Sequence, residues 1–347
     1  MLSGRCLMTF VLSVACVYAA QYTTFFVHDS GVGRVTAIND SGVMVGSWGD
    51  KAAKGFVRAA DGTITTFRVP HQGADRATVP FAINNRGVIT GYFSTTDDVI
   101  HGFVRYANGH FATFDVSGAV ATEPASINDA GVITGISSDA SGVWLGFVRT
   151  SDGTITTFGA PGAGSAEGQG TSPFAINAAG TIAGYYKDAN SLFHGFLRTA
   201  DGAISAIDVS TGGGPTFPYA VNSSGAIAGT YSDPHSGYRG FLRGPDGTVT
   251  TFASGKADPH GFGTQAFALN DRGDIAGTYY DSNGTAHGFV RHADAKMETI
   301  DAPGAGQANS QLEAGTYILM GGINAQGNLA GTLITNNVQQ LGFVRTH

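Results

Sequence analysis

Four glutamates, ten histidines and two cysteines are the side chains from which this chain would have to build catalysis or metal binding. Glu123, Glu167 and Glu313 fall in long connections between strand-like runs. Two carboxylates facing one another across a cleft would suit glycoside hydrolysis, one as acid and the other as base or nucleophile. His101, His194 and His287 each precede Gly-Phe, whereas Lys54, Leu145, Arg239 and Leu341 hold that place elsewhere. A set interrupted in this way reads as polar contacts at strand starts, and no metal is expected. Asp281-Ser282-Asn283-Gly284 lacks the clustered carboxylates of a calcium loop and reads as a self-capping turn. Cys6 and Cys16 both lie in the first twenty residues, so the remainder has no thiol for a disulfide, a zinc site or a nucleophile. No phosphate loop, nucleophile elbow or dinucleotide fingerprint occurs, and no cofactor is expected.

The elements that must position these residues are written seven times. The phrase I-N-x-x-G-x-I-x-G carries Asn39, Asn84, Asn128, Asn177, Asn222, Asn270 and Asn324. A second phrase, G-F-[VL]-R, ends at Arg58, Arg105, Arg149, Arg198, Arg243, Arg291 and Arg345. A third, close to T-I-T-T-F, follows in six units, for example at 63–67 and 154–158. Asn followed three residues later by Gly is type I turn chemistry, and Asp-Gly or Asn-Gly is a tight hairpin signal. Each unit therefore reads as four short antiparallel strands, the period of a propeller blade. The last unit stops at Arg345 without a fourth strand, and Tyr22–Phe26 supplies a matching run. The expected fold is all-β: a closed seven-bladed β-propeller, four antiparallel strands per blade, in which the N-terminal strand completes the last blade. Closure removes the open sheet edges that invite aggregation.

Composition agrees. The chain has 52 glycines in 347 residues and only 13% charged residues, against usual values of ~7% and ~25%. Such a chain disfavours long amphipathic helices. A net charge of −7 argues against a nucleic-acid partner. Residues 1–20 combine Arg5, a short apolar run and small residues near Ala19, the pattern of a cleaved secretory signal. Residues 21–347 then form one propeller domain, secreted or periplasmic, at most peripheral to a membrane, and expected to be a monomer.

These repeats resemble the HAF family of bacterial extracellular repeats, named for a His-Ala-Phe motif. The matching residues are His101-Gly102-Phe103, His194-Gly195-Phe196 and His287-Gly288-Phe289, with Gly in place of Ala throughout. The resemblance covers residues 22–345 and implies a secreted repeat protein. It implies no reaction.

A group present in every unit reads as scaffold, so the seven Arg and seven Phe of G-F-x-R are expected to hold turns and fill the core. Function is sought where the units differ. The residues five before each repeat Asn are Arg34, Val79, Glu123, Ser172, Phe217, Gln265 and Leu319, different in every unit. They are expected at the channel mouth on the long-loop rim. The candidate ligand-binding residues are Arg34, Glu123, Glu167, Phe217, Gln265 and Glu313. Trp48, Phe217, Phe262 and Tyr317 are aromatics suited to stacking on sugars. The leading expectation is non-catalytic binding of a glycan or a cell-envelope component. The alternative is a carbohydrate-active hydrolase or lyase using the loop carboxylates.

Overall fold

Short apolar runs punctuated by Asn-x-x-Gly and Asp-Gly turns fold here as 28 β-strands. The computed structural model describes residues 20–27, 33–49, 52–70, 76–96, 99–209, 212–308 and 314–346. No helix occurs among them, and so none long and apolar enough to cross a membrane. Residues 1–19 of the signal-like segment at 1–20, and Glu313, lie outside the described residues.

The strands fall into units of four at 33–67, 78–114, 121–158, 170–207, 216–252 and 264–300. Within a unit each strand pairs antiparallel with the next. In the first, Gly33–Ile38 pairs with Met44–Trp48, then Lys54–Arg58, then Ile64–Phe67. A seventh set at 315–346 has three strands, and Gln21–Phe25 lies antiparallel to its last strand, Gln340–Thr346, over five residue pairs. The first and last described strands thus share one ladder.

Adjacent units are tied in three ways. The first is a ring of hydrogen bonds. Each repeat Asn uses its Oδ1 on its own turn, as where Val88 N donates to Asn84 Oδ1 at 2.9 Å. Its Nδ2 donates to the backbone carbonyl of the next unit's Asn. The bonds run Asn39 to Asn84, Asn128, Asn177, Asn222, Asn270 and Asn324, and Asn324 Nδ2 returns to Asn39 O at 3.1 Å. All seven side chains are buried, so each is worth more than an exposed amide would be.

The second tie is aromatic. Phe56, Phe103, Phe147, Phe196, Phe241, Phe289 and Phe343 are almost wholly buried. Five of them meet the preceding unit's fourth-strand Phe edge-on, at 6.0–6.4 Å between ring centres. At the same junctions the following Arg lies over that Phe, as Arg198 over Phe158 at 4.8 Å. The glycine before each core Phe makes room: a Cβ on Gly102 would strike the Phe114 ring at 2.8 Å. Where the fourth strand ends in Ile207 or Ile300, the ring contact is missing. The repeat arginines are therefore scaffold, as their sevenfold recurrence predicts. In five of the seven the main contact is a neighbouring ring, with a weaker bond to the next backbone carbonyl in some, as from Arg198 to Thr199 O at 3.3 Å. Among the described residues Arg243 keeps only such a bond, and Arg345 pairs with Glu298 at 2.6 Å.

The third tie joins second strands to the next first strand. Val35 N donates to Thr332 Oγ1 at 3.1 Å, joining last unit to first, and Ala266 N and Ile318 N donate to Thr230 and Thr278 in the same way.

Candidate functional site

The site is made by an irregularity in the first strands. Six of them slip register once, leaving Thr36, Phe81, Ala125, Phe174, Tyr219 and Phe267 with no residue opposite. Such a bulge bends the strand and re-aims the extra side chain. The second-strand glycine permits it. A Cβ on Gly91 would overlap the Val79 carbonyl oxygen and lie 2.7 Å from Pro80 Cα.

All six bulge residues line one central cavity of about 690 Å³. Its inner end is a collar of Ile38, Ile83, Ile127, Ile176, Val221, Leu269 and Ile323, the residues just before each repeat Asn. The same collar bounds a smaller cavity of about 250 Å³ on the Asn side. Seven apolar side chains thus separate the two mouths.

The larger cavity is lopsided. Phe174, Tyr219 and Phe267 form a continuous wall, with Tyr219 5.4 Å from Phe174 and 5.2 Å from Phe267. Tyr185 and Phe217 back it, the Tyr185 ring 5.2 Å from both Phe174 and Phe217. Burial raises the Tyr219 hydroxyl well above its ordinary pKa and raises that of Tyr185 as well, so both stay neutral donors. The other side carries Arg34, Thr36, Ser47 and Tyr92.

The residues singled out by sequence are placed unevenly. Arg34 lines the cavity and is exposed. Glu123 sits in the same row, half-buried beside Tyr92, but does not line it. Burial raises its carboxyl above the usual carboxylate range, and its charge in turn contributes to raising Tyr92 after burial itself. Phe217 stands behind the aromatic wall. Gln265 Nε2 donates to Phe262 O at 3.2 Å. Glu167 is exposed on a turn packed over Gly142, away from the cavity lining. No carboxylate lines the cavity among the described residues, so the two-carboxylate arrangement expected of a hydrolase is not assembled there. Trp48 lies under Lys54, and Phe262 is 62% exposed beside Tyr280.

The five-residue spacing from Asn does not hold in the seventh unit. Ile318 N, rather than the N–H of Met320, donates to Thr278 Oγ1, and Tyr317 O is the carbonyl that approaches Gly331. Tyr317 therefore takes the row position assigned to Leu319. The first strand stops at Tyr317 and resumes at an isolated Ile323–Leu329 bridge, so extra residues intervene. The bulge residues escaped the sequence reading, although an aromatic three places before Asn recurs in four units.

The alternate-unit histidines are structural. The Nδ1 of each donates to a carboxylate that follows the fourth strand: Asp115 at 3.0 Å, Asp208 at 3.2 Å and Asp301 at 2.7 Å. Each also stacks on an aromatic ring of the second strand, 4.9–5.1 Å away. The hydrogen bond to Asp301 raises the His287 pKa, with Asp281 assisting. A raised pKa stabilises the fold fully below the ordinary His value of 6.5, and the contribution is lost as pH rises through the folded value. We expect His287→Gln to cost about 1 kcal/mol at pH 5.5 and much less at pH 9, read from urea midpoints. An equal loss at both would deny the ion pair. Asp139, Asp188, Asp233 and Asp281 cap their own turns, as where Leu192 N donates to Asp188 Oδ1 at 2.8 Å. Asp50 lies outside the described residues.

Similarity to solved structures follows this geometry. Virginiamycin B lyase from Staphylococcus aureus, in a catalytically inactive form with quinupristin, superposes with a TM-score of 0.60. It covers 95% of this chain and 100% of its own at 12% identity. A streptogramin B lyase gives 0.60 over 94% and 97% at 14% identity. The fold is a β-propeller. At such identity the likeness extends to the fold alone. No protein-family model and no curated protein matches the sequence.

Proposed function

We propose that this chain is a closed seven-bladed propeller, exported by its N-terminal signal and monomeric, that binds a glycan of its surroundings without transforming it. The return of the asparagine bonds from Asn324 to Asn39 and the pairing of Gln21–Phe25 with the last strand support closure and the count of seven. The repeat phrases support a place among HAF-type extracellular proteins.

The observation that carries the binding reading is the aromatic wall of Phe174, Tyr219 and Phe267 inside a cavity of about 690 Å³. Flat apolar faces beside hydroxyl and guanidinium groups suit the alternating C–H and O–H surfaces of a sugar. Titration of the mature protein against a glycan array, then calorimetry on the best binder, tests it. Tyr219→Ala should weaken that binder at least tenfold, ~1.4 kcal/mol, while Tyr219→Phe stays within about threefold. An array with no binder, or equal affinity in the Ala variant, removes the reading. Turnover of a polysaccharide panel by the wild type and its loss in Glu123→Gln would instead establish the hydrolase or lyase alternative.

A further inference from the structure

The wall facing the aromatic one carries a charge that no ion pair uses among the described residues. Arg34 is the only charged residue lining the central cavity among the described residues. It is exposed and belongs to no ion pair among them. Five junction arginines are committed to neighbouring rings, Arg345 to Glu298 at 2.6 Å and Arg272 to Asp274 at 2.8 Å. In a chain of net charge −7, the one charge lining the cavity among the described residues is positive.

Its surroundings are suited to an anion. Ser47 is directly opposite Arg34 in the strand register, and its hydroxyl lies on the same face of the ladder. Both residues line the cavity, together with Tyr92 of the next unit. Around the asparagine circuit, the units of Phe174 and Tyr219 are the two farthest from the unit of Arg34. A ligand spanning the cavity therefore meets an aromatic face at one end and a guanidinium at the other.

We propose that the ligand is an acidic saccharide, its carboxylate held by Arg34 and Ser47 and a neighbouring ring lying on Tyr219 and Phe174. This rests on the glycan reading and names the class of sugar. A guanidinium presents two parallel N–H donors that match a planar carboxylate, and the pair is stronger inside a cavity mouth than in open water. Arg34 decides between acidic and neutral sugars. The aromatic wall supplies affinity that both share.

Calorimetry with trimers of galacturonate, glucuronate and mannuronate, each beside its methyl ester, tests the assignment. At least one acid should bind, and its ester at least tenfold more weakly. Arg34→Gln should lose ten- to a hundredfold for that acid and change little for the ester. Arg34→Lys should fall between, because a point charge lacks the fork. Unchanged melting of both variants is the control for folding, as expected of an exposed side chain. If Arg34→Gln binds the acid as the wild type does, or the esters bind as tightly as the acids, the proposal fails and the glycan reading stands. If no saccharide binds the wild type, acidic or neutral, both fall.

Discussion

Deletion of residues 20–26 is expected to remove about 5 kcal/mol or more of stability and to leave an aggregating protein. Three losses combine. The five residue pairs to Gln340–Thr346 disappear, baring a sheet edge that templates association. The Phe25 ring leaves the space above Gly342, where a Cβ would lie 2.8 Å from one of its carbons. Its edge contact with Phe56 at 6.4 Å and the Arg58 guanidinium 4.8 Å above it go as well. Removing a packed Phe alone typically costs ~3–5 kcal/mol, and a cation–π contact adds ~0.5–2 kcal/mol. Since a whole domain is stable by only ~5–15 kcal/mol, the remainder is marginal. Thermal unfolding with light scattering measures this. A synthetic peptide of residues 20–27, added in excess, should raise the midpoint of the truncated chain. A midpoint within ~2 °C of wild type, with no gain from the peptide, would mean that the strand is only appended.

Gly91→Ala is the second large effect, at about 3 kcal/mol or more. All three nearest neighbours of the added Cβ are backbone atoms of Val79 and Pro80, so no side-chain rotation relieves the overlap. The bulged strand would have to move away, and the bulge places Phe81 in the cavity. Ligand affinity should therefore fall together with stability. Gly255→Ala is the control, because nothing lies within 4 Å of its Cβ and its backbone needs no positive φ. Urea midpoints that fall equally for the two variants would show that glycine flexibility, not close approach, is what the position requires.

The glycine excess thus separates into distinct physical demands. Gly42, at φ +76°, turns the chain after Asn39. Gly91 and its equivalents admit the bulge. Gly102 and most of its equivalents admit a ring. The first demand is local, and Asn-x-x-Gly announces it in any sequence. The other two are set by what arrives from a neighbouring strand.

Recurrence alone determined much. Seven copies of one phrase made the strand count, the turn positions and the scaffold role of arginine and core Phe legible, because a job repeated in every unit leaves the same residues in every unit. The missing fourth strand of the last unit and the matching run at residues 22–26 were legible for the same reason. What recurrence could not convey was the partner across each junction. Asn39 is readable as a turn residue, but its bond to Asn84 O joins residues 45 apart. Arg198 is readable as scaffold, but the ring beneath it belongs to the preceding unit. The cavity lining depended on tertiary structure most of all. A single-residue slip decides which first-strand side chains face inward, and that slip exists only when the second strand is packed against the first. It brought Phe174, Tyr219 and Phe267 together, because side-chain direction in a sheet follows register and spacing along the chain does not record a bulge.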